Sequence, residues 1–459
     1  MRSMRCQRAS VMRLLLTHAY FLGEDPKERQ IMKPYAPLGI LYLSSHLRGK
    51  GFEVDIYDST FGSREDLFAV LDAGPPAAIG IYGNLMTRRN VLDIAARARA
   101  AGWKVILGGP EPANYADEYL AAGADVLVAG EGEYALERLL SADMLPSAWP
   151  SIPGIIFRAP DGSAIRTGPA QLIADLDAQP WPDREQVDIP RYLNAWRQHH
   201  GTGSVSLITA RGCPYHCNWC SHSVYGKTHR RRSPKSVVDE VEWIRQRYQP
   251  DMLWLADDVF TIHHGWIQEY AAEIARRNLK IPFECITRAD RLNPRIAETL
   301  AELGCFRVWI GSESGSQRIL DAMQRGVKVE QVREAVSLCK QNGIQTGMFL
   351  MWGYDGEEVS DIEATVDHVK QCRPDVFFTT VSYPIKGTPY FDKVASRVVN
   401  LLPWAASTDR EVRVRGRHSG KFYQHADELL KSEMAAERDV SKILAAREAL
   451  RATFHEVEA

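Results

Sequence analysis

Short apolar runs alternate with amphipathic stretches along the first third of the chain. Five runs rich in Val, Ile and Leu predict strands: RLLLTHAY, VDIYDS, AIGIYGN, KVILGGP and DVLVAGEGE. The stretches between them have helical periodicity and close with glycine, which predicts helices: GILYLSSHLRGKG, SREDLFAVLDAG, RRNVLDIAARARAAG and YADEYLAAG. This alternation predicts a doubly wound α/β domain over residues 12–145, with a parallel sheet covered by helices on both faces.

A second alternation begins near residue 196. Six apolar runs predict strands: SVSLITARGC, MLWLADDVF, PFECITRAD, CFRVWIGSES, QTGMFLMWG and VFFTTVSYP. Helical stretches separate them, and the first of these begins with Ser233 as N-cap and Pro234 at the first helical position. Six βα units predict a partial (β/α)6 barrel over residues 196–395, with its chemistry at the carboxyl ends of the strands.

Two segments do not follow either alternation. Residues 146–195 are rich in proline and tryptophan, which predicts a linker with at most a small hairpin. Residues 396–459 contain the basic run REVRVRGRH and two helical stretches, which predicts a helical cap on the barrel.

Composition excludes several classes of protein. The 459 residues are 45% hydrophobic and 25% charged with a net charge of −2, as in an ordinary globular protein without affinity for nucleic acid. The stretch HRRRSPK is typical of a solvated loop, because nucleic-acid binding needs a wider basic surface with stacking aromatics. Residues 1–11 are expected to form a poorly structured leader. No long apolar span follows, so we expect a cytoplasmic protein without stable membrane insertion.

The stretch RGCPYHCNWCSHS contains the candidate chemistry. Cys213, Cys217 and Cys220 have the spacing C-x3-C-x2-C directly after a predicted strand, without a fourth cysteine nearby. Three thiolates on a 4Fe-4S cluster leave one iron without a protein ligand, and an open metal position is where substrate chemistry occurs. A zinc site is the alternative, with His216 or His222 as fourth ligand, but zinc motifs usually pair two C-x2-C units.

The remaining cysteines stand singly, and each is expected to be a small buried apolar residue: Cys6, Cys285, Cys305, Cys339 and Cys372.

The C-x3-C-x2-C loop after the first strand of a repeating βα domain resembles that of the radical S-adenosylmethionine superfamily. The resemblance implies that the amino and carboxylate groups of S-adenosylmethionine chelate the open iron. It also places Trp219 beside the adenine, Glu313 at the ribose hydroxyls and Arg288 at the methionyl carboxylate. The alternative for Arg288 is a surface ion pair with Asp290.

Other strand ends of the barrel carry further candidates for cofactor or substrate contacts. The resemblance places Ser312, Gly353 and Pro384 close to the cofactor or substrate. Asp257 and Asp258 end the second strand of the barrel, where they either cap the helix after Thr261 or contact the substrate. The two interpretations stay equal at this stage.

Strand ends in the first domain resemble those of the Rossmann-like cobalamin-binding domain that precedes many radical S-adenosylmethionine domains. The candidate contacts are Asn84, Gly108, Gly109, Gly130 and Glu131. The absence of G-x-G-x-x-G disfavours a dinucleotide. D-x-H-x-x-G is also absent: the string around His46 lacks the aspartate and lies in a predicted helix. We therefore expect cobalamin without a histidine lower ligand, and His46 as a surface or packing residue.

The combined resemblance is to the group that contains cobalamin-dependent methyltransferases and the anaerobic magnesium-protoporphyrin ester cyclase. It implies a 5′-deoxyadenosyl radical formed from S-adenosylmethionine at a 4Fe-4S cluster, then methyl transfer through methylcobalamin to an unactivated carbon of a small-molecule substrate. The implied electron donor is a flavodoxin or ferredoxin. One alternative is oxidative cyclisation or hydroxylation without methyl transfer, and another is a non-catalytic cobalamin or redox sensor.

Overall fold

The chain forms two compact units. The computed structural model describes residues 12–437 and 439–458, so the expected leader and Cys6 lie outside the described residues. The first unit comprises the described residues up to Val205 together with His222–Gly226, and the second comprises Ser206–Ser221 and the chain from Lys227 onward.

A seven-stranded sheet forms the centre of the first unit. Its strands are β1 (Leu14–His18), β2 (Val54–Tyr57), β3 (Ala78–Tyr82), β4 (Lys104–Gly108), β5 (Val126–Val128), β6 (Ile155–Arg158) and β7 (Ala164–Arg166). They lie in the order β2-β1-β3-β4-β5-β6-β7, with β1 to β5 parallel and the last two antiparallel. The strand order reverses between β1 and β3, and ligands of such sheets bind at the carboxyl ends beside that point.

From residue 12 onward, seven helices accompany this sheet: α1 (Pro26–Ile31), α2 (Leu38–Gly49), α3 (Arg64–Ala73), α4 (Arg88–Ala100), α5 (Ala116–Ala121), α6 (Glu133–Ser141) and α7 (Ile189–His200). The five strands and the four helices that the periodicity predicts are confirmed. Apolar side chains of β1 pack with those of α2 and α6 in one buried core, which includes Leu14, Leu16, Ile40, Leu47 and Leu139.

The segment 146–195 is more structured than the expected linker. Its hairpin, β6 and β7, extends the sheet, and helix α7 begins at its end. Asp188 caps α7 by accepting the backbone N–H of Arg191, and Tyr192 and Trp196 belong to a buried face of the helix. The prediction allowed for a small hairpin, whereas the high proline and tryptophan content concealed α7, although Trp196 follows Tyr192 at the helical spacing.

A six-stranded sheet forms the centre of the second unit. The strands of this unit are β8 (Ser204–Leu207), β9 (Ala210–Arg211), β10 (Arg230–Arg231), β11 (Met252–Leu255), β12 (Phe283–Thr287), β13 (Cys305–Glu313), β14 (Gln345–Trp352), β15 (Val376–Val381), β16 (Val398–Val399) and β17 (Arg413–Val414). The sheet order is β15-β14-β13-β12-β11-β8, with β11 to β15 parallel, so the ends β15 and β8 are not neighbours and the sheet stays open. All six predicted barrel strands are confirmed.

In the described part of the second unit there are nine further helices: α8 (Pro234–Tyr248), α9 (His264–Arg276), α10 (Pro294–Leu303), α11 (Gln317–Ala322), α12 (Val329–Gln341), α13 (Val359–Cys372), α14 (Pro389–Val394), α15 (Gly420–Met434) and α16 (Val440–Ala452). The predicted start of α8 is confirmed, because Ser233 Oγ accepts the N–H of Ser236 and Pro234 follows it. None of the described helices has the length and apolar content that a bilayer span requires.

Candidate active site

A buried carboxylate holds the base of the three-cysteine loop. Asp257, at the end of β11, accepts the backbone N–H groups of Thr209 at 2.6 Å and Ala210 at 3.1 Å. Its other oxygen lies 3.3 Å from the guanidinium of Arg231, which stacks on Trp266 at 3.7 Å. From the sequence, Asp257 was either a cap of the helix after Thr261 or a substrate contact. In the structure it instead fixes the strand that leads into Cys213. Helix α9 begins at His264 and has no side-chain cap.

Burial disfavours the thiolate form of two of the loop cysteines, Cys213 and Cys220. Burial, with the charges of Cys217, Cys213, Asp258 and Glu313 adding to it, raises the pKa of Cys220 to about 12. Burial also raises the pKa of Cys213. Within residues 12–437 and 439–458, no group of three His, Cys, Asp or Glu side chains has the arrangement to hold one metal ion. The ligands of a four-iron cluster lie further apart than those of a single ion.

Two arginines lie close to the sulfur of Cys217, the second cysteine of the loop. Arg288 Nη1 lies 3.9 Å and Arg325 Nη1 lies 3.7 Å from Cys217 Sγ, and all three side chains are buried. Both guanidinium groups donate to this sulfur, so they fix the position of the Cys217 side chain in the loop. Arg325 was not among the residues singled out from the sequence.

Arg288 pairs with Asp290, but Arg288 is buried and Asp290 half-buried, so the pair is not at the surface as the alternative interpretation had it. Its Nε donates to Asp290 Oδ1 at 2.9 Å, its Nη2 donates to the backbone oxygen of Arg325 at 2.9 Å, and its guanidinium lies 3.6 Å from the ring centre of Tyr215. With only 2% of its surface exposed, Arg288 is buried. Its donors are therefore used to fix the loop around Cys217.

Glu313 is held in an uncommon backbone conformation at the end of β13. Its φ is 61°, and the pairing of β13 with β14 shifts register between Gly311 and Glu313. Such a bulge redirects a side chain. A Cβ on Gly311 would lie 2.6 Å from Arg325 Nη2 and 2.8 Å from Glu313 Oε1, so the glycine makes room for the pair. Arg325 Nε faces Glu313 Oε1 at 3.7 Å.

The ionisation of Glu313 depends on this pair. Burial raises the pKa of Glu313, while Arg325 and Arg288 oppose that shift. A carboxylate accepts two hydroxyl donors, whereas the protonated form gives up one acceptor position. Arg325 therefore keeps Glu313 closer to the form that a ribose diol requires.

Glu313 and Trp219 share the wall of a cavity of about 270 Å³. Its other lining residues are Phe349, Leu350, Met351, Phe378, Thr379, Thr380, Ser382, Tyr383 and Ile385. Among the described residues, none accepts a hydrogen bond from the buried indole N–H of Trp219. Because a buried donor without an acceptor is costly, this N–H indicates a missing polar ligand in the cavity.

Two predicted contacts face elsewhere. Ser312 Oγ bonds to His368 Nε2 on α13 at 3.1 Å, so its hydroxyl is directed at a helix and is not a cavity group. Gly353 has a φ of 72° and donates its N–H to Glu357, and a Cβ there would lie 2.8 Å from the ring of Tyr423. Gly353 thus permits close packing of α15. Pro384 lies between two cavity residues, Tyr383 and Ile385.

The strand-end candidates of the first unit divide into two groups. Gly108 and Gly109 end β4, where Gly108 O accepts the N–H of Gly83 at 2.8 Å and an added Cβ on Gly109 would lie 2.3 Å from Gly83 O. These glycines keep two backbones in contact at the ligand edge of the sheet. Asn84 Oδ1 accepts the N–H of Met86 at 2.9 Å in a local turn.

Gly130 and Glu131 are covered by the chain itself. An added Cβ on Gly130 would lie 2.8 Å from Ala170 Cβ, and Glu131 Oε2 accepts the backbone N–H of Ile173 at 2.7 Å. Glu131 therefore anchors the segment after β7. The position of the Glu131 side chain does not support the expected cofactor contact.

Two histidines of the first unit, His18 and His46, are bonded to carboxylates. His46 is buried in α2, with Nε2 2.9 Å from Glu137 and Nδ1 3.1 Å from Gln179. Both of its ring nitrogens are thus used in packing. At the end of β1, His18 Nε2 lies 3.0 Å from Asp58, whose other oxygen accepts the Tyr192 hydroxyl at 2.8 Å.

Two family models match the chain. The model described as the radical SAM superfamily matches residues 207–369, and the model described as the B12 binding domain matches residues 31–140. The first range includes the cysteine loop, Arg288, Glu313 and Arg325, and the second includes β2 to β5. The chain carries a radical SAM domain and a B12-binding domain.

Curated relatives extend over both domains of this radical SAM protein. It is 26% identical over 395 residues to an uncharacterized methyltransferase of Pyrococcus horikoshii, which covers 83% of this chain and 83% of the relative. It is 28% identical over 409 residues to the anaerobic magnesium-protoporphyrin IX monomethyl ester cyclase of a Synechocystis species, covering 85% and 79% of the two chains.

Solved structures share the fold. The radical S-adenosylmethionine methyltransferase TsrM from Kitasatospora setae, solved with cobalamin and a 4Fe-4S cluster, superposes with a TM-score of 0.69 at 23% identity, over 84% of this chain and 75% of that one. The cobalamin-dependent enzyme OxsB with aqua-cobalamin gives 0.74 at 17% identity, over 92% and 66%.

The residues present fit the implied cofactors. One buried and two half-buried cysteines in a single loop, with two neighbouring arginines, suit a cluster, since thiolates are its protein ligands. The unpartnered Trp219 N–H and the Glu313 carboxyl group suit S-adenosylmethionine. The strand order of the first sheet creates a switch point at the carboxyl ends of its strands, which is where sheets of this kind bind a cofactor such as cobalamin. The protein is a radical SAM enzyme that uses a 4Fe-4S cluster, S-adenosylmethionine and cobalamin.

Proposed function

We propose that the protein transfers a methyl group to an unactivated carbon of a small-molecule substrate. The observation that carries this proposal is the position of Arg325, which contacts Cys217 on one side and Glu313 on the other. A cluster on the loop and the sugar of S-adenosylmethionine at Glu313 would then be held by one set of buried charges.

In this proposal Cys213, Cys217 and Cys220 hold the cluster. Asp257 fixes the entry of their loop through two backbone N–H groups, and Arg288 fixes its centre through Cys217. These contacts place the thiols before the cluster binds, so less ordering is required when it is assembled.

Glu313 and Trp219 orient S-adenosylmethionine in the cavity. The Glu313 carboxylate accepts the ribose hydroxyls, and the Trp219 indole borders the adenine, where its buried N–H finds an acceptor. Arg325 opposes the effect of burial on the Glu313 carboxyl group and lies beside it, which makes Arg325 a positioning residue. The apolar lining by Phe349, Leu350 and Met351 excludes water.

The bound groups supply the chemistry that the side chains cannot. When bound, the cluster and S-adenosylmethionine supply a carbon radical, and cobalamin in the first unit supplies a methyl carrier. Electrons come from a donor such as flavodoxin or ferredoxin. The strand-end backbones at Asn84, Gly108 and Gly109 are the proposed cobalamin contacts.

Product analysis tests the proposal. The reconstituted protein is incubated without oxygen with S-adenosylmethionine, cobalamin, reductant and a candidate small-molecule substrate. Methyl transfer predicts S-adenosylhomocysteine together with 5′-deoxyadenosine, and a methylated product of one additional CH2 mass. 5′-Deoxyadenosine with a changed substrate but without S-adenosylhomocysteine would contradict it and favour the cyclase type, which several relatives are named for.

A further inference from the structure

Three aromatic side chains on neighbouring strands form a stack, which we call the aromatic platform: Trp309 on β13, Phe349 on β14 and Phe378 on β15. The ring centre of Trp309 lies 5.2 Å from that of Phe349 and 5.4 Å from that of Phe378, with interplanar angles of 16° and 9°. The two phenyl rings are 6.4 Å apart and inclined by 19°. All three rings are thus close to parallel, in the offset arrangement that aromatic pairs favour.

The strand register builds the platform. Phe349 pairs directly with Phe378, and Trp309 pairs with Gly347, two residues before Phe349. A Cβ on Gly347 would lie 2.2 Å from the Trp309 ring, so the indole crosses β14 only because that position is glycine. Trp309 Nε1 donates to Glu284 Oε2 at 2.9 Å, which fixes the ring plane.

The platform is buried at one end and open at the other. Trp309 is 7% exposed, whereas Phe378 is 56% exposed and lines the cavity with Trp219 and Glu313. An exposed phenyl ring in a cavity wall, kept parallel to a buried indole, presents a flat apolar surface to whatever enters. The open side of Phe378 is therefore where a further ring of the stack can lie.

The cavity wall limits the charge of that ring. Among the described residues that line the cavity, Glu313 is the one carboxylate and there is no Lys, Arg or His. The polar groups near Phe378 are hydroxyls, on Thr379, Thr380, Ser382 and Tyr383. The Thr379 hydroxyl already donates to Asp427, so fewer of these groups are open to a ligand.

We propose that the aromatic platform is the substrate subsite and that it binds a planar, uncharged aromatic ring by stacking on Phe378. This inference deepens the proposed function and rests on it, because it names the substrate class of the same cavity. Glu313 and Trp219 would hold S-adenosylmethionine at one end of the cavity, and the substrate ring would occupy the end formed by β15.

Paired probes test the stacking without requiring turnover. Calorimetry on the reconstituted protein measures the binding of 2-naphthol and of its saturated counterpart decahydro-2-naphthol, which share a hydroxyl and an apolar skeleton. Phe378→Leu keeps the apolar character and removes the ring. We expect its dissociation constant for 2-naphthol to rise roughly 3- to 10-fold, the strength of one aromatic pair, and that for the saturated probe to change less than about twofold.

Two further variants make the result specific. Phe378→Trp should restore 2-naphthol binding, and Val381→Ala, at another exposed position of β15, should change neither probe. Equal weakening of both probes in Phe378→Leu, or no 2-naphthol binding to the unmodified protein, would overturn the inference. 5′-Deoxyadenosine formation is measured in parallel: its absence in the unmodified protein would contradict the proposed function, while selective 2-naphthol binding would still support the platform.

Discussion

The guanidinium of Arg325 lies 3.7 Å from the sulfur of Cys217, although 108 positions separate the two residues along the chain. The same side chain donates to Gly311 O at 3.0 Å and faces Glu313 at 3.7 Å. One buried cation therefore joins the cysteine loop to the end of β13. This relationship makes the two halves of the candidate site dependent on each other.

Removing the positive charge of Arg325 should weaken S-adenosylmethionine binding more than it lowers the iron content. In Arg325→Gln, three cysteines remain, so iron content should stay near that of the unmodified protein. Glu313 loses the charge that opposes its raised pKa, so its pKa rises and S-adenosylmethionine binding shifts to higher pH. Loss of a charge-assisted contact corresponds to about 1.5–3 kcal/mol, or roughly 10- to 150-fold in the dissociation constant at neutral pH.

The matched control is Arg318→Gln, which removes a half-exposed arginine from α11 that pairs with Asp361. It should leave the pH dependence of S-adenosylmethionine binding unchanged. An unaltered dissociation constant in Arg325→Gln across pH 6–9 would contradict the assigned role.

Asp257 should stabilise the folded protein and hold the base of the cysteine loop. In Asp257→Asn, the amide cannot replace the charge that Arg231 faces, and its NH2 group would meet backbone donors. Breaking such a buried pair costs about 3–5 kcal/mol of the free energy of unfolding. Denaturant unfolding and iron retention during gel filtration measure the effect.

Asp258→Asn is the control because Asp258 is the exposed neighbour in the same turn. It should change the free energy of unfolding by no more than about 0.5 kcal/mol. Equal stability of the two variants would show that Asp257 does not fix the loop.

The elements were largely predictable, whereas the contacts at the site were not. Period-2 and period-3.6 patterns placed β1 to β5 and the six barrel strands, because each buries one continuous apolar run. Helix α7 was missed since a local excess of proline and tryptophan outweighed its periodicity. Arg325 follows α11 in a short loop, and no local pattern connects it with Cys217.

Glu357 should make stability depend on pH. Burial raises the pKa of this carboxyl group from 4.5 to about 8. Below pH 4.5 the folded and unfolded chains both keep the proton. Between pH 5 and 8 the unfolded chain releases it while the folded chain retains it, so the free energy of unfolding falls by about 1.4 kcal/mol per pH unit from this group.

Glu357→Gln should abolish that slope, as measured by denaturant unfolding between pH 5 and 8. Glu334→Gln, at an exposed position on α12, should retain it. If the slope of Glu357→Gln matches that of the unmodified protein, this carboxyl group is ionised in the folded state and the prediction is wrong.

Cobalamin should bind without a protein imidazole on its lower face. His46 already bonds to Glu137 and Gln179, so it has no open nitrogen for cobalt. The EPR spectrum of the bound cob(II)alamin form should lack nitrogen superhyperfine splitting, and His46→Ala should not alter it. Splitting that vanishes in His46→Ala would overturn this prediction, and splitting that vanishes in His18→Ala would move the ligand to the end of β1.

The structure brings Glu313 and Trp219 together, whereas it directs the side chains of Ser312 and Glu131 to other parts of the chain. The first two line one cavity, as their positions at a strand end and in the loop suggested. Ser312 alternates with Glu313 along β13 and bonds to His368 on α13, while Glu131 holds Ile173. Which face a strand-end side chain takes depends on bulges and on covering segments, and neither is visible in a single sequence.

The most direct test of the account is the cleavage of S-adenosylmethionine by the cysteine loop. Protein reconstituted without oxygen is mixed with S-adenosylmethionine and reductant, and 5′-deoxyadenosine is quantified by mass spectrometry. We predict its formation by the unmodified protein and by the core variants Cys305→Ala and Cys339→Ala, and none from Cys213→Ala, Cys217→Ala or Cys220→Ala. Formation of 5′-deoxyadenosine by any of these three loop variants at the unmodified rate would contradict the account.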